Sequence, residues 1–222
     1  DESIRNIRNL GFFSDVKVRN LVGSSEGQTI TELTVEEQST GELSIGLGYS
    51  SLEQTSLAFG IDERNFFGTG RALSLSFDLS QKRSNFRLGV AEPYLLGRNL
   101  TGRAGVFNEK VKQDSVSISK TGFDFGISFE AAQDFYHNVT YDLSQSKTTE
   151  SSTTATSITG ENGAQILTSA ASYVVGQDRL DNRLDPSEGT LFELRQELAG
   201  IGGDAKFYKV TGKAAYYRPV NF

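Results

Sequence analysis

From Thr40 onward, apolar and polar residues alternate with period two, in about ten separate segments. Leu43, Ile45, Leu47 and Tyr49 alternate with Glu42, Ser44, Gly46 and Gly48, and the pattern returns in Leu57/Phe59/Ile61, Leu73/Leu75/Phe77/Leu79 and Phe86/Leu88/Val90. It recurs in Phe123/Phe125/Ile127/Phe129, Val139/Tyr141/Leu143 and Phe192/Leu194 to Leu198, and more weakly in Leu100–Phe107, Gln165–Val175 and Tyr208–Tyr216. Side chains a residue apart point to opposite faces of a strand, so this period specifies one apolar and one polar face. Repeated with turn signals between, it predicts an antiparallel sheet of about ten strands of roughly nine residues, long enough to cross a bilayer when tilted.

Two architectures fit such a sheet. A soluble sandwich would spend the apolar face on a dry core, whereas a membrane barrel turns it to lipid. The connections favour the barrel. Compact turns are expected at Asn65–Gly70, Pro93–Asn99, Ala131–His137 and Asp178–Gly189, and longer loops at Asn108–Lys120 and Gln145–Gly163. That asymmetry, with aromatics near strand ends (Phe66, Phe67, Tyr94, Phe135, Tyr136, Tyr216, Tyr217), is the outer-membrane pattern. Arg87 and Arg103 are expected on the polar, wet inner face.

Composition narrows the chemistry. The 222 residues hold 22 Lys+Arg against 28 Asp+Glu, a single His, and no Cys, Met or Trp. Zinc clusters, thiol catalysis and disulfides are excluded, and an acidic chain with scattered cations makes a poor nucleic-acid binder. His137, in the turn Gln133–Asn138, has no G-x-S-x-G partner motif, so no enzyme is expected. Asp178, Asp181, Asp185 and Glu188 lack the spacing of a calcium loop, and Arg179 and Arg183 sit among them. A structural turn is expected there, shaped by Pro186 and Gly189, with neither metal nor cofactor. Gly200–Gly203 reads as a flexible loop tip.

The first forty residues follow another rule. Ile4, Ile7 and Leu10 lie on one helical face, Phe13–Arg19 alternates, and Thr29–Glu37 reads as a half-buried strand. A helix and two strands form the end of a small α+β module, too short to bury its own core.

Several stretches resemble the BamA family of outer-membrane β-barrel insertases. Ser39–Ser51 (STGELSIGLGYSS) is similar to its opening barrel strand, and Glu63–Ser76 (ERNFFGTGRALSLS) to its second strand, first turn and third strand. Glu92–Leu100 (EPYLLGRNL), Asp181–Leu194 (DNRLDPSEGTLFEL) and Phe207–Val220 (FYKVTGKAAYYRPV) resemble its next turn, its D-x-x-x-x-P-x-x-G turn and its tenth strand. Ser3–Val18 is similar to the end of the POTRA repeat nearest the barrel. The resemblance implies residues 1–38 as the C-terminal part of a POTRA repeat in the periplasm, and residues 39–222 as the N-terminal part of an outer-membrane barrel of sixteen strands. The chain is accordingly expected to be a fragment.

The implied function is insertion of nascent outer-membrane β-barrel proteins, by strand templating at the barrel seam and local disturbance of outer-membrane lipids. Periplasmic lipoproteins are implied partners. A TamA-like or two-partner-secretion transporter, or a passive pore, is the alternative. The seam strand would be Glu42, Leu43, Ser44, Ile45, Gly46, Leu47, Gly48, Tyr49 and Ser50, whose backbone amides pair with a client strand, the glycines loosening strand order. Thr29, Ile30, Thr31, Glu32, Leu33, Thr34 and Val35 would offer a second edge to clients or partners. Asp181, Arg183, Pro186 and Gly189 would form a structural periplasmic turn, and Glu37–Thr40 the hinge between the two parts.

Overall fold

A computed structural model of the chain describes residues 7, 10–22, 25, 28–113, 116–150, 163, 165–182 and 184–219. The N-terminal module contributes β1 (Phe13–Val22) and β2 (Thr29–Glu37), an antiparallel pair with the buried Val16 opposite Val35. The helix expected before them lies outside the described residues, apart from Ile7 and Leu10.

The remainder is one ten-stranded sheet: β3 (Gly41–Ser50), β4 (Gln54–Glu63), β5 (Ala72–Ser80), β6 (Arg83–Glu92), β7 (Thr101–Gln113), β8 (Val116–Ala132), β9 (Phe135–Glu150), β10 (Gln165–Leu180), β11 (Gly189–Ala199) and β12 (Phe207–Tyr217). Each strand pairs antiparallel with the next, leaving β3 and β12 at the edges. The register aligns the alternation from strand to strand. Ile45 stands opposite Phe59, Phe59 opposite Phe77, and Phe77 opposite Phe86. Further round, Leu88, Val106, Phe123 and Leu143 form another such row.

These rows are not covered by a second layer. Leu47, Ile45 and Leu43 are 80%, 68% and 63% exposed, and among the described residues the buried apolar set is limited to Val16, Phe107, Ala170, Val174 and Ala199. A sandwich would bury its apolar face, so this sheet is the wall of a transmembrane barrel with that face toward lipid. The opposite face holds charge. Arg87 donates to Asp124 at 2.8 Å, Lys120 lies 3.8 Å from Asp142, and both cations flank the buried Phe107 ring, 5.3 and 5.1 Å from its centroid. Arg87 is thus on the inner face, as its position in the alternation requires.

The turns β4–β5, β6–β7, β8–β9 and β10–β11 fall at the end nearest the N-terminal module, and the other connections at the far end. Two expectations are corrected there. Asn108–Lys120 is no loop: Asn108–Gln113 continues β7 and Val116–Lys120 begins β8, with two residues between. Gln145–Glu150 likewise prolongs β9, and residues 151–162 lie outside the description. Strands β8, β9 and β10 reach 17, 16 and 16 residues, not nine. Antiparallel pairing continues past the apolar band because polar residues on both faces pair as well in water. Loss of alternation there marks the end of the bilayer, not of the strand.

The Gly200–Gly203 segment is also more ordered than a free tip. β11 ends opposite Ala170, and the loop then supplies bonds to the rest of β10. Gly200 N–H donates to the Ser169 carbonyl at 3.1 Å, and Asp204 N–H to that of Leu167 at 2.7 Å. The Asp204 carboxylate accepts from Leu167 N–H at 2.8 Å.

Candidate functional site: the β3 edge

β3 is held firmly along one side. Its ten residues pair with β4 from Gly41 opposite Glu63 to Ser50 opposite Gln54. At its base Thr40 is buried, its hydroxyl donates to the Glu63 carboxylate, and its carbonyl accepts from Arg64 N–H at 3.4 Å. Just before it, Gln38 N–H donates to the Phe12 carbonyl at 3.0 Å and its side-chain amide to the Gly11 carbonyl at 2.9 Å. The expected hinge Glu37–Thr40 is therefore tied to the module at one end and to β4 at the other.

On its other side β3 pairs with no strand among the described residues, and register decides which residues face that edge. In an antiparallel ladder, alternate residues bond to one neighbour and the rest point away from it. The Arg64–Thr40 bond makes the even-numbered residues of β3 the ones bonded to β4. A second bond, Lys112 N–H to the Lys82 carbonyl at 2.7 Å, gives the same parity when carried back across β6, β5 and β4. Leu43, Ile45, Leu47 and Tyr49 consequently present N–H and C=O groups to the open edge. Glu42, Ser44, Gly46, Gly48 and Ser50 have spent theirs on β4.

The candidate strand thus divides into two sets that the sequence did not distinguish. The residues with free backbone groups are those whose side chains face lipid. The two glycines supply inner-face relief but no outward donor. Residues Thr29–Val35 lie in β2, which pairs with β1 on one edge and with nothing among the described residues on the other.

The turn between β10 and β11 is a compact structure organised by one carboxylate. Asp181 accepts the N–H of Ser187 and of Glu188, both at 3.0 Å, and the Ser187 hydroxyl at 2.5 Å. Its own N–H donates to the Glu188 carbonyl at 3.0 Å. Arg179 pairs away from these acids, with Asp134 of the β8–β9 turn at 3.4 Å, and Arg183 lies outside the described residues. His137 is placed in β9, not in a turn, stacked on Phe129 at 5.0 Å with Nδ1 2.7 Å from the Tyr173 hydroxyl.

The hydrogen bonds to Asp181, the Ser187 hydroxyl first, hold its carboxyl at about 2, below the ordinary 3.8. A depressed carboxyl stabilises the fold above its unfolded pKa, and that contribution disappears as pH falls through the folded value. Turn protection should therefore persist at pH values above 3.8 and fall away toward pH 2. Hydrogen-exchange protection of the Ser187 and Glu188 amides measures this. Asp181→Asn should remove the pH step, and a step surviving that substitution would assign it elsewhere.

A single-layer antiparallel wall, apolar outside and charged within, with a two-stranded module at one end, defines a transmembrane β-barrel wall. Residues 65–222 match the Omp85 superfamily domain, and the chain belongs to that superfamily. It is 32% identical over 218 residues to the outer membrane protein assembly factor BamA of Neorickettsia risticii (strain Illinois), covering 96% of this chain and 29% of that protein. To the BamA of Nitratidesulfovibrio vulgaris it is 27% identical over 210 residues, covering 93% and 26%. The chain therefore spans less than a third of these relatives. The crystal structure of BamA from Haemophilus ducreyi lacking POTRA domains 1–3 superposes with a TM-score of 0.84 at 19% identity, covering 99% of this chain and 45% of that one. That likeness speaks for the fold.

Proposed function

We propose that the chain is the part of a bacterial outer-membrane assembly factor that starts a client strand. The N-terminal module lies in the periplasm, nascent outer-membrane β-barrel proteins are the clients, and periplasmic lipoproteins contact the module. No bond is made or broken, and no cofactor is needed. The work is done by backbone groups and by the bilayer. The observation that carries this reading is the free row of amides on Leu43, Ile45, Leu47 and Tyr49. An exposed strand edge pairs with another chain by β-augmentation, main-chain bonds giving affinity with little demand on client sequence. The free edge of β2 offers a second, weaker station for clients or partners.

The height of the apolar band supports disturbance of the membrane beside that edge. On β4 the outward apolar residues are Leu57, Phe59 and Ile61, bounded by Thr55 and Glu63, and on β6 Phe86, Leu88 and Val90, bounded by Ser84 and Glu92. Three such rows span about 14 Å of strand, and the four on β3 (Leu43 to Tyr49) and on β5 (Leu73 to Leu79) about 20 Å, against roughly 27 Å for Tyr208 to Tyr216 on β12. A strand tilt near 40° reduces these figures along the membrane normal, and an ordinary barrel band is about 25 Å tall. Lipid next to β4–β6 must thin to match, at a cost of fractions of a kcal/mol per Å, which lowers the barrier to a strand entering there.

A photo-crosslinking side chain at Leu47, compared with one at Phe125, tests the templating role in the full-length protein. Both sites face lipid, but only the first is at the open edge. Client capture should be several-fold greater at Leu47. Equal capture at the two sites would sink the reading.

A further inference from the structure

At the far end of the wall, the outward rows just beyond the apolar band carry lysine. Lys110 on β7 and Lys147 on β9 stand on either side of the same residue, Ser119 of β8. The row continues to Ser84 on one flank and Gln165 on the other. One step higher come Lys112 and Ser117, then Thr149, and the Lys82 carbonyl receives the Lys112 N–H. Lys110, Lys112 and Lys147 are exposed, and no carboxylate stands in these outward rows among the described residues.

The inner face is different. There Lys120 stands opposite Glu109 and near Asp142, Lys209 opposite Glu197, and Lys213 opposite Glu193. These inner lysines are matched by acids, whereas Lys110, Lys112 and Lys147 are surrounded by hydroxyls and amides.

Height places the cluster against the membrane surface. Below the lysine row lie Asn108, Thr121 and Gln145, and below these the last apolar row, Val106, Phe123 and Leu143. Two alternate rows are about 13 Å of strand, and roughly 10 Å along the normal at the usual tilt. That is headgroup depth, within reach of a lysine stem bending back toward the interface. Lys110 and Lys147 are two strand spacings apart, about 10 Å, so they engage separate phosphates or the two ends of one large headgroup.

We propose that Lys110, Lys112 and Lys147, with Ser117 and Ser119, form a binding site on the outer wall for the phosphate-bearing headgroup of a membrane lipid, in the leaflet distant from the N-terminal module. The occupant is a lipid because the site is continuous with the lipid-facing band and lies on the outward face of the wall. Hydroxyls beside the amines supply donors to phosphate oxygens that the charges hold in place. The site would hold ordered lipid on the β7–β9 side of the barrel, away from the β3 edge.

The test uses the full-length protein in phosphatidylcholine nanodiscs, with lipid A as the probe and its dephosphorylated form as control. Bound lipid is counted by native mass spectrometry. Near an anionic surface each lysine is worth about fivefold in affinity, so Lys110→Gln/Lys112→Gln/Lys147→Gln should weaken lipid A retention on the order of a hundredfold. The corresponding Lys→Arg triple should retain it. Lys206→Gln/Lys209→Gln/Lys213→Gln, which removes the same charge elsewhere, should leave it unchanged, and heat-modified gel mobility confirms that each variant is folded. The proposal is overturned if wild type fails to prefer lipid A, if the control triple loses as much, or if inorganic phosphate displaces the lipid.

Discussion

Replacing Leu47 by proline should cut client insertion by the full-length protein about five- to tenfold while leaving the barrel folded, whereas Gly46→Pro should chiefly damage folding. The difference follows from the ladder. Leu47 N–H points to the open edge and bonds to nothing in the sheet, so a proline there removes one template donor and no internal bond. Proline is tolerated on an edge strand when its missing N–H is the outward one. Gly46, one residue earlier, is bonded toward Ala58 on β4, and proline there breaks the wall itself. A net backbone hydrogen bond is worth about 1 kcal/mol, which sets the fivefold scale, and the Ile45→Pro/Leu47→Pro pair should approach a loss of about thirtyfold. Leu47→Ala, which keeps the donor and loses only a lipid-facing side chain, should insert clients nearly as well as wild type. The measurement is the rate at which a protease-resistant client barrel accumulates in proteoliposomes, alongside heat-modified mobility of the variant. Normal insertion by folded Leu47→Pro would remove the β3 edge from the mechanism.

The parity behind that prediction could not be read from the residues. Alternation says that Leu43, Ile45, Leu47 and Tyr49 share a face, because side-chain direction has period two and hydrophobicity reports it. Backbone donor direction has the same period but leaves no mark on composition. It is fixed by where the first ladder bond forms, here at Arg64 and Thr40. The glycines drew attention as the unusual residues of the strand, yet their amides are already spent. The ten strands and the outward apolar face were legible because lipid and lumen select opposite residue types on every strand. The length of β7–β10 was not, since beyond the bilayer both faces meet water and Asn108–Gln113 reads like any polar loop. The lysine cluster was hidden for a related reason: Lys110 and Lys147 are far apart in the chain and become neighbours only through Ser119. His137 was misplaced because a polar residue after Asp134 looks like part of a turn, while the structure uses it to extend the Phe129–Tyr173 side of a strand face.

A second large effect is expected at Gly189, where β11 begins. Its φ is +119°, a conformation that L side chains rarely adopt, and an added Cβ would fall 2.0 Å from the Arg179 carbonyl oxygen. The atoms beneath it, including Leu180 Cα at 2.9 Å, are backbone and cannot swing aside. Gly189 also pairs on both sides, with Leu180 of β10 and Tyr217 of β12, so displacing it disturbs two ladders at once. Gly189→Ala should cost about 3 kcal/mol or more, combining backbone strain with a clash that only chain movement relieves. Gly200→Ala provides the comparison. Its φ is +127°, but the nearest atom to a new Cβ is Lys206 Cγ at 3.3 Å, on a flexible side chain. That variant should lose only the strain, about 1–2 kcal/mol. Urea midpoints of the folded full-length protein in detergent separate the two, and the Asp181 turn should lose exchange protection in Gly189→Ala alone. Equal midpoints would mean that positive φ carries the whole cost and that the approach of β11 to the Arg179 carbonyl relaxes freely. A clear gap, with turn protection lost, would make Gly189 the residue that sets where β11 starts and hence the register of the last three strands.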